Sequence, residues 1–287
     1  MHAPEAAAVL FIIEVVIASL AGGVLGSIAG IGGGVIIVPV LTIFLGMNIR
    51  YAIGASIVSV IATSSGAGSV YVKDRITNIR IAMFLEVATA LGAIVGAALL
   101  APLLPGNVLA VLFGITLLVS LIPIFRKFGE ELPEGVVDDA LARRLRLDGS
   151  YYDKRLGREV QYQVTGIPAA TGYMFAAGVI SGLLGIGAGV LKVLAHEIAM
   201  KVPSKVSTAT SNFMIGVTAA AASGVYLRRG LVLPAVVVPV AAAVLVGAFL
   251  GTKLMERMSN NLVRQVFAFA LALIGCQMVL RGIGVLG

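Results

Sequence analysis

The sequence predicts an all-α polytopic membrane protein made of two inverted repeats, and three observations carry that prediction. Of its 287 residues, 59% are hydrophobic and only 12% are charged, and the mean hydropathy of +1.04 lies well above that of an ordinary soluble domain. Apolar runs of about 20 residues, the length that crosses a hydrocarbon core about 30 Å thick, recur along the chain. A glycine-rich interruption occurs twice, 155 positions apart: Ala29-Gly30-Ile31-Gly32-Gly33-Gly34-Val35 and Leu184-Gly185-Ile186-Gly187-Ala188-Gly189-Val190. The same register pairs Ser56 with Ser211, Val70-Tyr71 with Val225-Tyr226, Gly92-Ala93 with Gly247-Ala248 and Gly96 with Gly251.

Apolar segments fall near 8–29, 35–47, 51–72, 81–104 and 107–125, and again near 168–184, 190–200, 206–227, 231–252 and 262–280. The chain therefore divides into a first membrane repeat at 8–125, a connecting loop at 126–166 and a second membrane repeat at 167–287. The N-terminus does not read as a signal peptide, because Met1 to Ala8 carries no Lys or Arg and Glu14 interrupts the apolar stretch. It reads as a retained first helix.

The second segment of each repeat is too short to cross the hydrocarbon core unless that core is locally thinned or the segment is partly re-entrant. Its preceding glycines weaken helix propagation and permit sharp turns. Broken backbone at membrane depth persists only where protein or a watery cavity covers it, so the breaks are expected to face inward. Gly22 and Gly26, four apart on an uninterrupted segment, read instead as helix-packing positions.

The connecting loop holds eight Lys/Arg and eight Asp/Glu, which places it outside the membrane. Its later part, with the turn dipeptide Asp148-Gly149 and the alternating Glu159-Val160-Gln161-Tyr162-Gln163-Val164, reads as a short β-hairpin. A solvated cap is favoured over a partner-docking patch. Setting this loop in the cytoplasm also puts Lys73, Arg75 and Arg80 there, with Arg50 outside. If the second repeat is inverted, Lys201, Lys205, Lys253, Arg257 and Arg264 join the cytoplasmic side against Arg228, Arg229 and Arg281, as the positive-inside rule requires. Both termini are then external, in a multi-pass protein of the cell membrane.

The run from Gly22 through Gly34 followed by Val38-Pro39-Val40-Leu41, its echo from Ser181 to Gly189, and the stretch Val202-Pro203-Ser204-Lys205-Val206-Ser207-Thr208-Ala209-Thr210-Ser211-Asn212 resemble the sulfite exporter TauE/SafE family. The likeness covers essentially all of both repeats. It implies a secondary transporter of small anions, commonly sulfur oxyanions or sulfonates. The second copy departs from the first at Ala188, where the first has Gly33, and at Leu194, where the first has Pro39.

Helix physics points to the same ligand class. A helix that starts after a glycine break presents unpaired N–H groups and the positive end of its dipole, both of which favour an anion. Paired interruptions in two halves mark a transporter's substrate site. Gly32, Gly33, Gly34 and Val35 are thus expected to face Gly187, Ala188, Gly189 and Val190 across the substrate. Lys192, whose repeat mate is Ile37, is a candidate anion ligand or a partner of Glu197 or Glu86 in a buried ion pair. Ser56, Ser59 and Thr63 form one hydroxyl stripe, and Thr208, Ser211 and Asn212 another. Ser56, Ser211 and Asn212 are candidate substrate contacts, though such groups also bond their own helix.

His196 and Glu197 read as a gate pair or a solvated helix end, and Glu86 as a proton-coupling carboxylate or an interfacial acid. His196-Glu197 lacks the second His of a zinc-protease motif. The single Cys276 excludes an internal disulfide and reads as a small core residue. No metal or cofactor and no catalytic constellation is expected. Basic residues scattered singly through loops argue against nucleic acid despite the net charge of +7. The expected partners are a small anionic substrate and the bilayer, with a homo-oligomer compatible. An anion channel is the alternative to a transporter.

Overall fold

The computed structural model describes residues 3–29, 34–122, 136, 139–153, 156–255 and 260–285. Helix α1 (Ala3–Ala29) leads to the first break, and α2 (Gly34–Pro39) follows it, widening into a π turn over Val40–Phe44. Then come α3 (Ile49–Lys73), α4 (Ile79–Val95, prolonged to Leu103) and α5 (Gly106–Val119). After a connecting segment with α6 (Ala140–Leu145), β1 (Gly149–Asp153) and β2 (Arg158–Tyr162), the pattern recurs. It recurs as α7 (Ile167–Leu184), α8 (Gly189–Leu194) with a π turn over Ala195–Ala199, α9 (Ser204–Arg228), α10 (Pro234–Met255) and α11 (Asn260–Gly282). Among the described residues, α3, α4 as far as Leu103, α7 and α10 up to Gly251 are long and apolar enough to cross a membrane. The π turn follows α8 without any proline there, so Pro39 is not what produces it in α2.

Helix α4 packs on α7 as α10 packs on α1, and α3 lies against α9. Glycines make these approaches close: a Cβ at Gly92 or Gly178 would run into a carbonyl of the facing helix, Phe175 or Thr89 respectively. Gly23 and Gly247 play the same part between α1 and α10. At Gly22, expected to be a packing position, an added Cβ would make only ordinary contact 3.4 Å from Ile36. The close approach is one residue later.

Helices α3 and α9 run antiparallel. Gly54, near the start of α3, abuts Leu231 just beyond the end of α9, whereas the Ser64 hydroxyl, farther along α3, donates to the Asn212 carbonyl near the start of α9 at 2.5 Å. Met83, Val87, Leu91 and Ile94, at helical spacing on α4, are exposed, as are Val238, Leu245 and Phe249 on α10. These outward apolar faces suit lipid. Cys276 shares such a position: it is exposed on α11, not a core residue as its type suggests.

The connecting segment is an apolar plug as well as a polar loop. Leu147, Tyr151, Val160 and Val164 are buried against Ile81, Leu85, Met174 and Met200 at one end of the helices. Strands β1 and β2 pair antiparallel from Gly149↔Tyr162 to Asp153↔Arg158. The connection therefore lies at 154–157, and Asp148 serves instead as an acceptor for the Val164 N–H at 3.0 Å. The segment ties both halves together: Asn78 donates to the Leu147 carbonyl and the Tyr162 hydroxyl, both at 2.8 Å. Lys205 bonds both oxygens of Asp153 at 2.8 and 2.7 Å. Burial pushes the Tyr162 phenol up to about 12, so it stays neutral in that network.

Candidate functional site

The second break turns by left-handed backbone. Gly185 has φ +68°, Gly187 +70° and Ala188 +48° before α8 begins. The first two are natural glycine positions, and Ala188 accepts a conformation that costs a side-chain-bearing residue roughly 1–2 kcal/mol. Space is also limiting, since a Cβ at Gly187 would lie 2.7 Å from the Ile215 methyl and one at Gly185 2.9 Å from the Ile53 carbonyl. At the first break, Gly32 and Gly33 lie outside the described residues. Gly34 is packed so tightly on α3 that an added Cβ would stand 2.7 Å from Ser56 Oγ.

The two breaks meet. Ser56 Oγ shares its hydrogen between the carbonyls of Gly34 at 3.0 Å and Gly185 at 2.8 Å, tying both to α3. Its repeat mate Ser211 donates to the Gly189 carbonyl at 3.0 Å. Val35, just after the first break, and Ile186, Ala188, Gly189, Val190 and Leu191 from the second line one crevice of about 10 Å³, together with Thr116 and Leu117 of α5 and Ser120 just beyond it. That space holds about one water. Admitting an oxyanion would require the walls to part.

Thr116 and Ser120 escaped the sequence reading. They stand four apart in an otherwise apolar segment, the one signal that marked them. Each hydroxyl now bonds a carbonyl one turn back, at 2.8 and 2.7 Å. The hydroxyls of Ser59 and Thr63 likewise bond carbonyls of α3. The Asn212 amide donates to Thr208 of its own helix at 3.0 Å.

Lys192 is fully buried and is not among the residues that line the crevice. Its ammonium donates to Thr218 Oγ1 of α9 at 2.5 Å, and Thr218 Oγ1 lies 2.6 Å from Glu86 Oε1 of α4. The partnership with Glu86 is thus carried by a hydroxyl. Glu86 is 5% exposed, and its Oε2 has no partner. His196, one turn beyond Lys192, is also fully buried, so it is no solvated helix end. Glu197 beside it is half-buried. Among the described residues, no cluster of His, Cys, Asp and Glu could hold a metal ion.

At the end away from the plug, Asn48, Asn107, Met278 and Arg281 help to line a cavity of about 320 Å³. Three arginines brace this end through backbone carbonyls: Arg50 to Leu104 at 2.9 Å, Arg229 to Ala98 at 2.6 Å, and Arg281 to Thr42.

A helical protein with apolar outer faces and broken helices meeting at its centre has the build of a membrane transporter. The chain belongs to the sulfite exporter TauE/SafE family, whose pattern it matches over residues 15–278. It is similar to the probable membrane transporter protein YunE of Bacillus subtilis (strain 168), with 28% identity over 282 residues that cover 95% of this chain and 98% of the relative. No solved structure matches it.

Proposed function

We propose that the protein is a secondary transporter of small anions, with sulfur oxyanions or organosulfonates as the substrate class, working by alternating access around the two glycine breaks. The observation that carries this reading is the convergence of both broken segments on one small crevice. The first-turn N–H groups of α8 have no carbonyl partner within that helix, which leaves them as donors for an oxyanion as the walls separate. Ser56 and Ser211 hold the carbonyls of Gly34 and Gly189 from behind, which leaves positive ends toward the substrate. Lys192, one turn from Gly189, brings a cation near that site, where Glu86 balances it through Thr218. The family's sulfite-exporter description supplies the sulfur chemistry.

The two halves act as inverted repeats in this reading, a view supported by the antiparallel course of α3 and its repeat mate α9. Arg75, Arg80, Arg146, Lys201 and Lys205 belong to the plugged end, against Arg50, Arg228, Arg229 and Arg281 at the other. The positive-inside rule therefore makes the plug cytoplasmic and both termini external.

Counterflow tests the proposal. Proteoliposomes loaded with unlabelled methanesulfonate or sulfite should accumulate the labelled anion transiently and saturably, because a carrier exchanges one bound anion for another. Leak without exchange would sink the reading, since a carrier must reorient with its cargo.

A further inference from the structure

Off the crevice, the second broken helix reaches a buried polar relay that structural stability alone does not call for. Glu86 from α4, Thr218 from α9 and Lys192 from α8 form one chain across both halves, all buried. A buried carboxylate whose second oxygen is unpartnered is costly. The Thr218 hydroxyl has a second acceptor, the Met214 carbonyl at 2.9 Å. One hydrogen with two acceptors gives the bridge two arrangements. We infer that Glu86 is a proton-binding site linked through Lys192 to the anion site, so that proton and anion bind together.

The step adds one proton to Glu86 Oε2 and breaks no covalent bond. With Glu86 ionised, the hydroxyl hydrogen points to Oε1, and carboxylate and ammonium offset each other. With Glu86 neutral, its oxygen is a weaker acceptor and the hydrogen turns to Met214. Lys192 then has no counter-charge one turn from the crevice, where low polarity makes an unbalanced cation attract an anion strongly. By linkage, the anion must favour proton binding by the same factor.

The surroundings offer few competing charges. Helix α4 brings Glu86, and α8 with its π turn brings Lys192, His196 and Glu197. On α9, Lys205 is engaged with Asp153 at the plug and Tyr226 bonds the Gly182 carbonyl toward the far end. Helix α7 contributes Tyr173, which is exposed. Among the described residues, His196 is a further proton acceptor, one turn from Lys192 on the plug side and beside the Ser207 backbone.

This inference rests on the anion-transport reading, and its test separates the two. Methanesulfonate keeps its charge across the range used, so its affinity for purified wild-type protein is measured at about pH 6 and pH 8, beside Glu86→Gln. We expect binding tighter by about tenfold at the lower pH, and in Glu86→Gln the tight value at both. Infrared difference spectra of the wild type without ligand should gain a protonated-carboxyl band on acidification that Glu86→Gln lacks. A flat wild-type affinity, a pH dependence that persists in Glu86→Gln, or no such band overturns the linkage while leaving anion transport standing. A wild type that binds no anion at either pH overturns both.

Discussion

At the scale of single residues, the hydroxyls at the breaks act on backbone before they act on anything else. Ser56 is fully buried and its one hydrogen serves two carbonyls from different halves, whereas Ser211 serves one. Ser56→Ala should therefore lower thermal stability in detergent more than Ser211→Ala, the latter by about 1 kcal/mol in the range of membrane side-chain hydrogen bonds. Equal losses would mean that the shared bond has no added value. The sequence named Ser56 and Ser211 through the repeat register but could not tell hydroxyls aimed at substrate from hydroxyls aimed at a carbonyl. Thr218 was silent for a related reason: a threonine among alanines on a long helix carries no sign of the two charges that flank it in space.

At the scale of elements, glycines divide into two kinds that their identity does not distinguish. Those at Gly92 and Gly178 let whole helices approach, with an immovable carbonyl facing each. Gly187 instead supplies left-handed backbone, and an added Cβ there would meet side-chain methyls, Ile215 Cγ2 at 2.7 Å and Val60 Cγ1 at 3.2 Å, rather than a carbonyl. Gly92→Ala should thus cut the yield of folded protein sharply. Gly187→Ala should leave yield closer to wild type while slowing transport, read by size-exclusion profile and by counterflow on the same preparations. If both variants lose yield alike, the break is merely another packing site.

Helix positions and the two breaks were legible because hydropathy and glycine clustering are properties of the chain itself. The apolar plug at 147–164 was not. Its alternating residues match a solvated cap as well as a buried one, and only the membrane helices beneath decide which side is covered.

At the scale of the whole molecule, the plug clamps both halves at one end through Asn78, Lys205 and Asp153, and three arginines brace the other through backbone carbonyls. Between these ends the crevice is too small for an oxyanion. Under the proposed alternating access, the halves part at one end while staying closed at the other, with the breaks as the fixed point. The most direct test is the reach of a reagent to that point. A cysteine replacing Val35 in a Cys276→Ala protein is probed with a membrane-impermeant maleimide in right-side-out and inside-out vesicles. Val285→Cys and Ser150→Cys mark the two faces, outer and inner respectively in the proposed topology. Labelling of Val35→Cys from both sides, slowed by methanesulfonate on each, is the result expected of an anion site opened alternately. Labelling from neither side, or from one side only and indifferent to the anion, would contradict it.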